Sequence, residues 1–322
     1  MSAEIEAGVD NMLSVKLTPW HGLGVILETA PKTVEEALTI AGLNWQVERA
    51  PVVAQYNGKL VQTNNFAVVR KTDERVLGVV GSEYHPIQNA KAFEFFNPFV
   101  EQGFCTIETA GSLQGGRRVW MLAKVNGTET DIVKNDPVNA YFLVSNSHDG
   151  STRARLGFCG TRVVCMNTLT IAHNESDLLR VSHTKNAAVA LDKIQGIVDF
   201  QKKRFAGTVE QMRALARVGV TAESLRAYVE RVFLPEVKKR TVADEDTQAA
   251  LSKIHAKIIP LFEKGRGNDL PGVKGTMWAA YNAVSEYMTW EKGRSPNTRL
   301  DSLWFGEAGK INQRAFDVAQ AA

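Results

Sequence analysis

The sequence has few of the features that mark several classes of protein. Its three cysteines, an odd and widely spaced set in 322 residues, argue against the framework of a small disulfide-stabilised domain. No apolar run approaches the ~20 residues that a membrane-spanning helix needs. The N-terminal segment MSAEIEAGVDNML is acidic and lacks the basic and apolar regions of a signal peptide. We therefore expect a protein of the cytoplasm that has no membrane partner.

Motifs for metals and for nucleotide phosphates are also missing. The six histidines and three cysteines never fall into C-x-x-C, H-x-x-x-H or H-E-x-x-H spacing. Gly22 and Gly24 lack the third glycine of G-x-G-x-x-G, and the chain has no G-K-[ST] sequence. We expect no bound metal, no cofactor and no ATP hydrolysis through a phosphate-binding loop.

The composition is that of a globular protein with an uneven charge distribution. Hydrophobic residues make up 44% of the chain and charged residues 23%, and the net charge is +3. Residues 1–60 hold four Lys/Arg against seven Asp/Glu, a balance of −3, whereas residues 151–220 hold eleven against five, a balance of +6. The basic segment can present a positive face to an anionic partner, although cations that merely solvate helices would give the same count.

Hydrophobic periodicity changes near residue 185. Before this point, short alternating or apolar segments bounded by Gly, Asn and Asp predict an antiparallel or mixed β-sheet with short helices. After it, apolar residues recur at helical spacing, which predicts a largely helical half. The sequence therefore predicts an α+β fold, with a sheet domain over 1–185 and a helical region over 186–322 that packs on the sheet or extends from it.

Local signals in the first half predict individual elements. Thr33 is a suitable N-cap for a short helix, Glu36 completes a capping box, and Gly42 can end the helix. Residues 71–74 and 114–116 have the composition of hairpin turns.

Three further segments have less regular patterns. The stretch 88–102 looks helical, but Pro98 predicts a kink or an earlier end. The segment RVVCMNTLTIA, residues 162–172, could be a strand or a helix. Residues 294–306, RSPNTRLDSLWFG, are predicted to be a loop that enters a last short helix.

Residues 141–173 concentrate the unusual chemistry of the chain, with Ser145, Asn146, three arginines and two cysteines. Here His148, Asp149 and Cys165 invite the hypothesis of a cysteine nucleophile activated by imidazole. The apolar neighbours of Cys165 favour a buried, inert thiol instead. Asp149 and Gly150 form the dipeptide typical of a tight turn, which favours a structural role for this segment.

The basic residues suggest binding of single-stranded nucleic acid. Arginine donates paired hydrogen bonds to phosphate, and Arg153 and Arg155 would lie on the same face of a strand. Aromatic side chains could stack on unpaired bases. Because no helix-turn-helix or zinc-finger pattern occurs, single strands suit this set better than a duplex. The predicted binding residues are Arg117, Arg118, Asn146, Arg153, Arg155, Phe158, Arg162, Asn167, Lys202, Lys203 and Arg204.

Several longer motifs resemble the phage/plasmid-like protein family, a bacterial and phage family carried as a domain of unknown function. The resemblance covers most of the chain, and its motifs are PWHGLG at 19–24, GSEYHPIQNAKAFEFF at 81–96, GSLQGGRRVWMLAKV at 111–125, NSHDGS at 146–151, RVVCMNTL at 162–169 and GTMWAAYNAVSEYMTW at 275–290. Such proteins commonly carry a histidine where this chain has Trp290. The resemblance implies a home on phages, plasmids or integrated elements in a bacterial host, and it supplies no catalytic residues.

Three classes of function are consistent with these observations. The leading expectation is a non-enzymatic accessory of DNA metabolism that binds single-stranded DNA, assembles as a homo-oligomer and promotes annealing or recombination. An enzyme, a hydrolase or transferase that uses Cys165 or His148 with Asp149, is the first alternative. The second is a protein that acts through protein contacts, for example against host defence.

Overall fold

The fold is described from a computed structural model of the chain. It covers residues 12–16, 24–152, 154–162, 167–169, 187–293 and 296–322. Within these ranges, the side chains of residues 155, 162, 167–169, 187–194, 296–297, 300 and 305 are not described.

The chain forms two compact units, each assembled from several segments. The first contains the described parts of Met1–Asn126, Tyr141–Gly157 and Asn174–Val198. The second contains those of Gly127–Ala140, Phe158–His173 and Asp199–Ala322. Each unit therefore draws residues from both sides of position 185, where the composition of the sequence changes.

Strands dominate the first half of the chain and helices the second, which confirms the predicted α+β class. The strands are β1 (Met12–Val15), β2 (Val25–Leu27), β3 (Val47–Tyr56), β4 (Lys59–Arg70), β5 (Arg75–Gly81), β6 (Cys105–Leu113), β7 (Arg118–Val125), β8 (Thr130–Asp131), β9 (Pro137–Ser147), β10 (Arg155–Arg162) and β11 (Asn167–Leu169). The helices are α1 (Val34–Ile40), α2 (Asn89–Phe93), α3 (Asn97–Glu101), α4 (Ala187–Leu215), α5 (Ala222–Lys238), α6 (Asp244–Lys264), α7 (Met277–Glu286), α8 (Pro296–Phe305) and α9 (Glu307–Gln320).

The described strands form two sheets. The larger has the order β11-β10-β9-β7-β6-β1-β2, and β8 pairs with the start of β9. It is mixed, because β1 and β2 are parallel whereas β6 and β7 are antiparallel. The smaller sheet has the order β3-β4-β5 and is antiparallel throughout. Both predicted hairpin turns, at 71–74 and 114–116, connect neighbouring antiparallel strands.

The first unit has its apolar core around an aromatic cluster. Phe93, Phe96 and Phe99, from α2, α3 and the 3₁₀ turn between them, are fully buried. The ring of Phe99 lies 5.6 Å from that of Phe142 on β9, between ring centroids. From Val138 to Ser147, β9 is buried at every position, so no alternation of inward and outward residues is visible along it.

Helix α1 begins as the sequence predicts. The Oγ of Thr33 accepts a hydrogen bond from the backbone N–H of Glu36 at 3.1 Å. The Glu36 carboxylate bonds the N–H of Lys32 at 2.7 Å, one residue before the donor of an ideal capping box. The segment 88–102 also breaks as Pro98 predicts, into two short helices.

The prediction of a loop at 294–306 is wrong. Residues Pro296–Phe305 form helix α8, which Gly306 separates from α9. Proline lacks an N–H and has a fixed φ, and both properties suit the first position of a helix. Pro296 therefore starts a helix here, although in the sequence it looks like part of a loop.

The second unit is built mainly from helices around α7, of which every residue is buried. The rings of Trp278 and Tyr281 lie 5.6 Å apart, and that of Tyr281 lies 5.3 Å from Phe316 on α9. The Trp278 indole N–H donates to the carboxylate of Asp136 at 2.7 Å, and both residues are completely buried. None of the described helices is long and apolar enough to cross a membrane.

The buried bond between Trp278 and Asp136 predicts a stability effect. Trp278→Phe removes the indole donor from a buried carboxylate, and we expect a loss of about 1.5–3 kcal/mol in the free energy of unfolding. Urea denaturation measures this loss. Asp136→Asn is the matched control, because it keeps an oxygen acceptor and should cost less. An unchanged urea midpoint for Trp278→Phe would show that the bond contributes nothing.

Candidate functional site

The candidate site of the first unit is the turn that follows β9, where three of the sequence motifs meet. The Ser147 hydroxyl donates to the carbonyl of Thr152 at 2.7 Å and accepts from its N–H at 3.1 Å. Asp149 accepts from the N–H of Ser151 at 2.9 Å, and Gly150 has a φ of 73°. These bonds close a compact turn, which agrees with the structural interpretation of this segment.

The imidazole of His148 lies at the centre of this turn and is fully buried. Its Nε2 is 2.8 Å from Oδ1 of Asn89. The amide nitrogen of Asn89 donates to the carbonyl of Leu43 at 2.9 Å, so Oδ1 is the acceptor that faces the ring. His148 must therefore carry its proton on Nε2. The Trp45 ring packs beside it, with a centroid distance of 5.1 Å.

Burial sets the charge of this histidine. Desolvation lowers the pKa of His148 to about 4, and the nearby charge of Asp149 opposes that shift with a smaller effect. The ring is therefore neutral at pH 7. A buried, neutral imidazole bound to Asn89 holds the turn in place and does not reach a substrate in solvent.

The motif at 81–96 is bonded to the turn at two further points. The Tyr84 hydroxyl donates to the carbonyl of Ser147 at 2.7 Å. The amide of Asn146 donates to the carbonyl of Ile87 at 2.9 Å. Desolvation raises the pKa of the Tyr84 phenol, and the charge of Asp149 adds to this effect, so the hydroxyl stays protonated as a donor.

The third motif, at 111–125, reaches the same turn through its arginine pair. The backbone N–H of His148 donates to the carbonyl of Arg117 at 2.7 Å. The guanidinium of Arg118 is half-buried and donates to the Ser151 hydroxyl at 3.2 Å. The side chain of Arg117 is exposed. The turn thus fixes one arginine and leaves its neighbour in solvent.

A strand of the smaller sheet also approaches this turn closely. A Cβ atom added to Gly78 on β5 would lie 2.5 Å from the Cα of Asp149. No side chain fits in that distance, so the position requires glycine. Arg70, near the end of β4, is buried, pairs with Asp73, and lies over the Trp45 ring at 5.4 Å from its centroid.

The structure brings some predicted binding residues to one end of the larger sheet. Arg118 pairs with Ser147 in register, and Arg155 begins β10 directly beyond the turn. Because β9 lies between β7 and β10, the backbones of Arg117, Arg118 and Arg155 lie at the same end of this sheet. The side chain of Arg155 is outside the description, and Arg153 lies outside the described residues altogether.

Two predicted residues have packing roles instead. Asn146 is 3% exposed, and its amide is bonded to the Ile87 carbonyl. Phe158 is 5% exposed, and its ring lies 6.3 Å from that of Phe205 in the second unit. The structure thus gives the Asn146 amide and the Phe158 ring packing partners, and a ring with so little exposure cannot offer a face to a base.

The remaining predicted residues belong to the second unit. Arg162 and Asn167 are register partners on β10 and β11, placed by their backbones only. On α4, Lys203 is exposed, whereas Lys202 and Arg204 are half-buried. Arg204 lines an open cleft of about 370 Å³ between α4 and α9, whose other lining residues are Gly207, Thr208, Gln211, Gln313, Phe316, Asp317 and Gln320.

The described residues lend no support to a cysteine-based active site. Cys165 lies outside them. Cys159 is buried, and desolvation raises the pKa of its thiol to about 12, which keeps it protonated and unreactive. Across the parts of the chain that are described, no three His, Cys, Asp or Glu side chains form a group able to hold a metal ion.

Sequence reasoning missed Asn89 and Trp45 as the partners of His148. Asn89 stands 59 residues before the histidine, a separation that no spacing rule relates to it. The available signal was the polar first half of the motif at 81–96, in which Tyr84 and Asn89 both form hydrogen bonds to the segment 147–148.

Together these features define an α+β protein in which three motifs are hydrogen-bonded around a buried histidine. The chain belongs to the DUF932 family, because the model of this domain of unknown function matches residues 76–304. The matched range includes the whole turn after β9 and most of the helical half, but not β3 or β4. No curated protein and no solved structure matches the chain.

The titration of His148 predicts how stability depends on pH. In the unfolded chain the imidazole titrates near ~6.5, above its pKa in the fold, so the unfolded chain binds more protons between these values. This contribution is complete above pH ~6.5 and is lost as the pH falls towards 4, by up to roughly 3 kcal/mol. Thermal denaturation across that range measures it.

His148→Gln should abolish this component, because an amide can donate to Asn89 but does not titrate. His85→Gln removes an exposed histidine and is the matched control, which should keep the wild-type dependence on pH. If His148→Gln retained the full slope, His148 would not be the titrating group.

Proposed function

We propose that the protein binds single-stranded nucleic acid as a non-enzymatic accessory of phage or plasmid DNA metabolism, with a role in annealing or recombination. The observation that carries this proposal is the arginine pair at the start of β7, where Arg117 ends the hairpin turn and Arg118 begins the strand. The turn holds Arg118 in place through Ser151, while Arg117 extends into solvent beside it. An exposed guanidinium on a rigid strand end is well suited to a phosphate.

The position of Arg155 extends this surface. Arg155 starts β10, the strand on the far side of β9. A nucleic-acid backbone that runs along this end of the sheet would therefore pass arginines from two strands. A single strand carries a phosphate on every nucleotide, and several such contacts together would give useful affinity. Arg153 and Arg162 remain candidates on sequence grounds alone.

Helix α4 offers a second group of cations in the second unit. Lys202, Lys203 and Arg204 follow one another, and Arg204 faces the cleft between α4 and α9. The carboxamides of Gln211, Gln313 and Gln320 could hydrogen-bond to a sugar or to a base edge in this cleft. Asp317 also lines the cleft, so it would favour neutral groups over phosphate there.

The motif resemblance supports the biological setting. Genes of phages, plasmids and integrated elements often process or protect DNA in the cytoplasm of the bacterial host. The resemblance supplies this setting, and the exposed cations supply the chemistry of binding.

The proposal predicts binding that is steeply sensitive to salt. Fluorescence anisotropy with a labelled, unstructured oligonucleotide should show micromolar affinity at low salt. The affinity should fall with salt, with a slope of about −0.7 per contacted phosphate, because binding releases counterions. Absence of binding at low salt and micromolar protein would reject the proposal.

A charge reversal tests the assigned surface. Arg117→Glu should weaken binding about tenfold and reduce the salt slope by about 1 or more, because it removes a phosphate contact and adds a like charge. Lys253→Glu makes the same charge change at an exposed position of α6 and should have little effect. Equal losses in both variants would indicate only a general dependence on net charge.

A further inference from the structure

The hairpin of β3 and β4 continues well beyond the third strand of its sheet. We call residues 53–62 the β arm. Its register pairs are Val53 with Gln62, Ala54 with Val61, Gln55 with Leu60, and Tyr56 with Lys59. Strand β5 pairs with β4 only from Asn65 onwards. Within the described sheet, both strands of the β arm are therefore edge strands.

The β arm ends in a tight two-residue turn. Asn57 has a φ of 48° and Gly58 a φ of 75°, the left-handed values that a type I′ hairpin turn needs. This turn matches the right-handed twist of the strands, so the hairpin is a regular and locally encoded element.

Large apolar side chains of the β arm are exposed on both of its faces. Leu60 is 74% exposed and Val53 52%, and the register places them on the same face. Tyr56 is 69% exposed and Val61 48%, and they share the opposite face. All ten residues of the β arm are exposed. Neither face is covered by the residues that the structure describes.

The β arm has few of the features that normally protect an edge strand, since the irregularity in register between Pro51 and Val53 lies at its base and not within it. Exposed edges are usually blocked by charges, proline or bulges, because unpaired backbone groups and apolar side chains invite pairing. The β arm has one charged residue, Lys59, and no proline. A two-stranded hairpin without a packed face is marginally stable in water, so a partner that covered this ribbon would stabilise it.

Charge decides which partner fits. A nucleic acid needs several cations, and Lys59 is the one cation that the β arm offers. A strongly charged peptide would likewise lack a counter-charge. The partner that fits the β arm is another neutral, apolar ribbon with open strand edges. The β arm of a second copy of the chain has these properties. A two-fold axis would place identical apolar faces and antiparallel edges against each other.

We propose that the β arm is a self-association interface and that its occupant is the β arm of a second copy of this chain. Association buries Val53, Tyr56, Leu60 and Val61 and pairs the open strand edges. The inference does not depend on nucleic-acid binding, since it rests on residues that lie outside both groups of cations.

Sedimentation velocity of the full chain, freed of nucleic acid by nuclease treatment, tests the proposal. The wild type should assemble at micromolar concentration into species of at least twice the chain mass of 35.4 kDa. Leu60→Thr/Val61→Thr keeps the β propensity of the strand but removes its apolar surface, and it should raise the dissociation constant by about tenfold or more. Leu60→Lys/Val61→Lys adds repulsion and should give a monomer.

Val242→Thr is the matched control, because Val242 is fully exposed outside the β arm, and it should assemble like the wild type. Added salt should leave the assembly intact, whereas it would dissolve an assembly bridged by residual nucleic acid. Two results would overturn the proposal: a monomeric wild type, whether or not it binds neutral lipid vesicles through the β arm, or unchanged assembly of both β-arm variants.

Discussion

The hydrogen bond between His148 and Asn89 is the interaction on which the candidate site depends. It joins two residues that are 59 positions apart in the chain and belong to different motifs, and both side chains are buried. Because water is excluded, leaving either group unpaired would cost more than the bond itself contributes in an exposed position. The same burial keeps the imidazole neutral. His148, a candidate acid or base in the sequence, therefore holds two segments of the fold together.

This arrangement separates the buried polar groups from the exposed cations. Ser147, Asp149 and Ser151 use their hydrogen bonds to close the turn. Arg118 bonds the turn through Ser151, and Arg117 next to it is directed into solvent. The rigidity of the buried network and the exposure of the neighbouring guanidinium are therefore linked. The proposed nucleic-acid surface would therefore combine exposed charge with a fixed frame.

Elements whose signals come from neighbouring residues could be predicted from the sequence. The roles of individual side chains could not be predicted where burial determines them. The cap at Thr33 and the break near Pro98 follow from neighbours in the chain. The turn at Asn57-Gly58 carries the strongest short-range hairpin signal and could have been found. Asn146 could not be recognised as a packing residue, because β9 is buried on both faces and a polar residue on such a strand looks like a site residue. Phe158 could not be recognised either, because its packing partner Phe205 lies far along the chain, on α4. The loop predicted around Pro296 failed because proline is equally suited to the start of a helix.

¹⁵N NMR of histidine-labelled protein tests most directly whether Asn89 holds the His148 imidazole in the neutral Nε2–H form. We expect a protonated Nε2 and an unprotonated Nδ1, with both chemical shifts constant from neutral pH to about 5, because the pKa lies near 4. A titration centred near ~6.5, or a proton on Nδ1, would contradict it, since either result would mean an accessible imidazole that is free to act as an acid or a base.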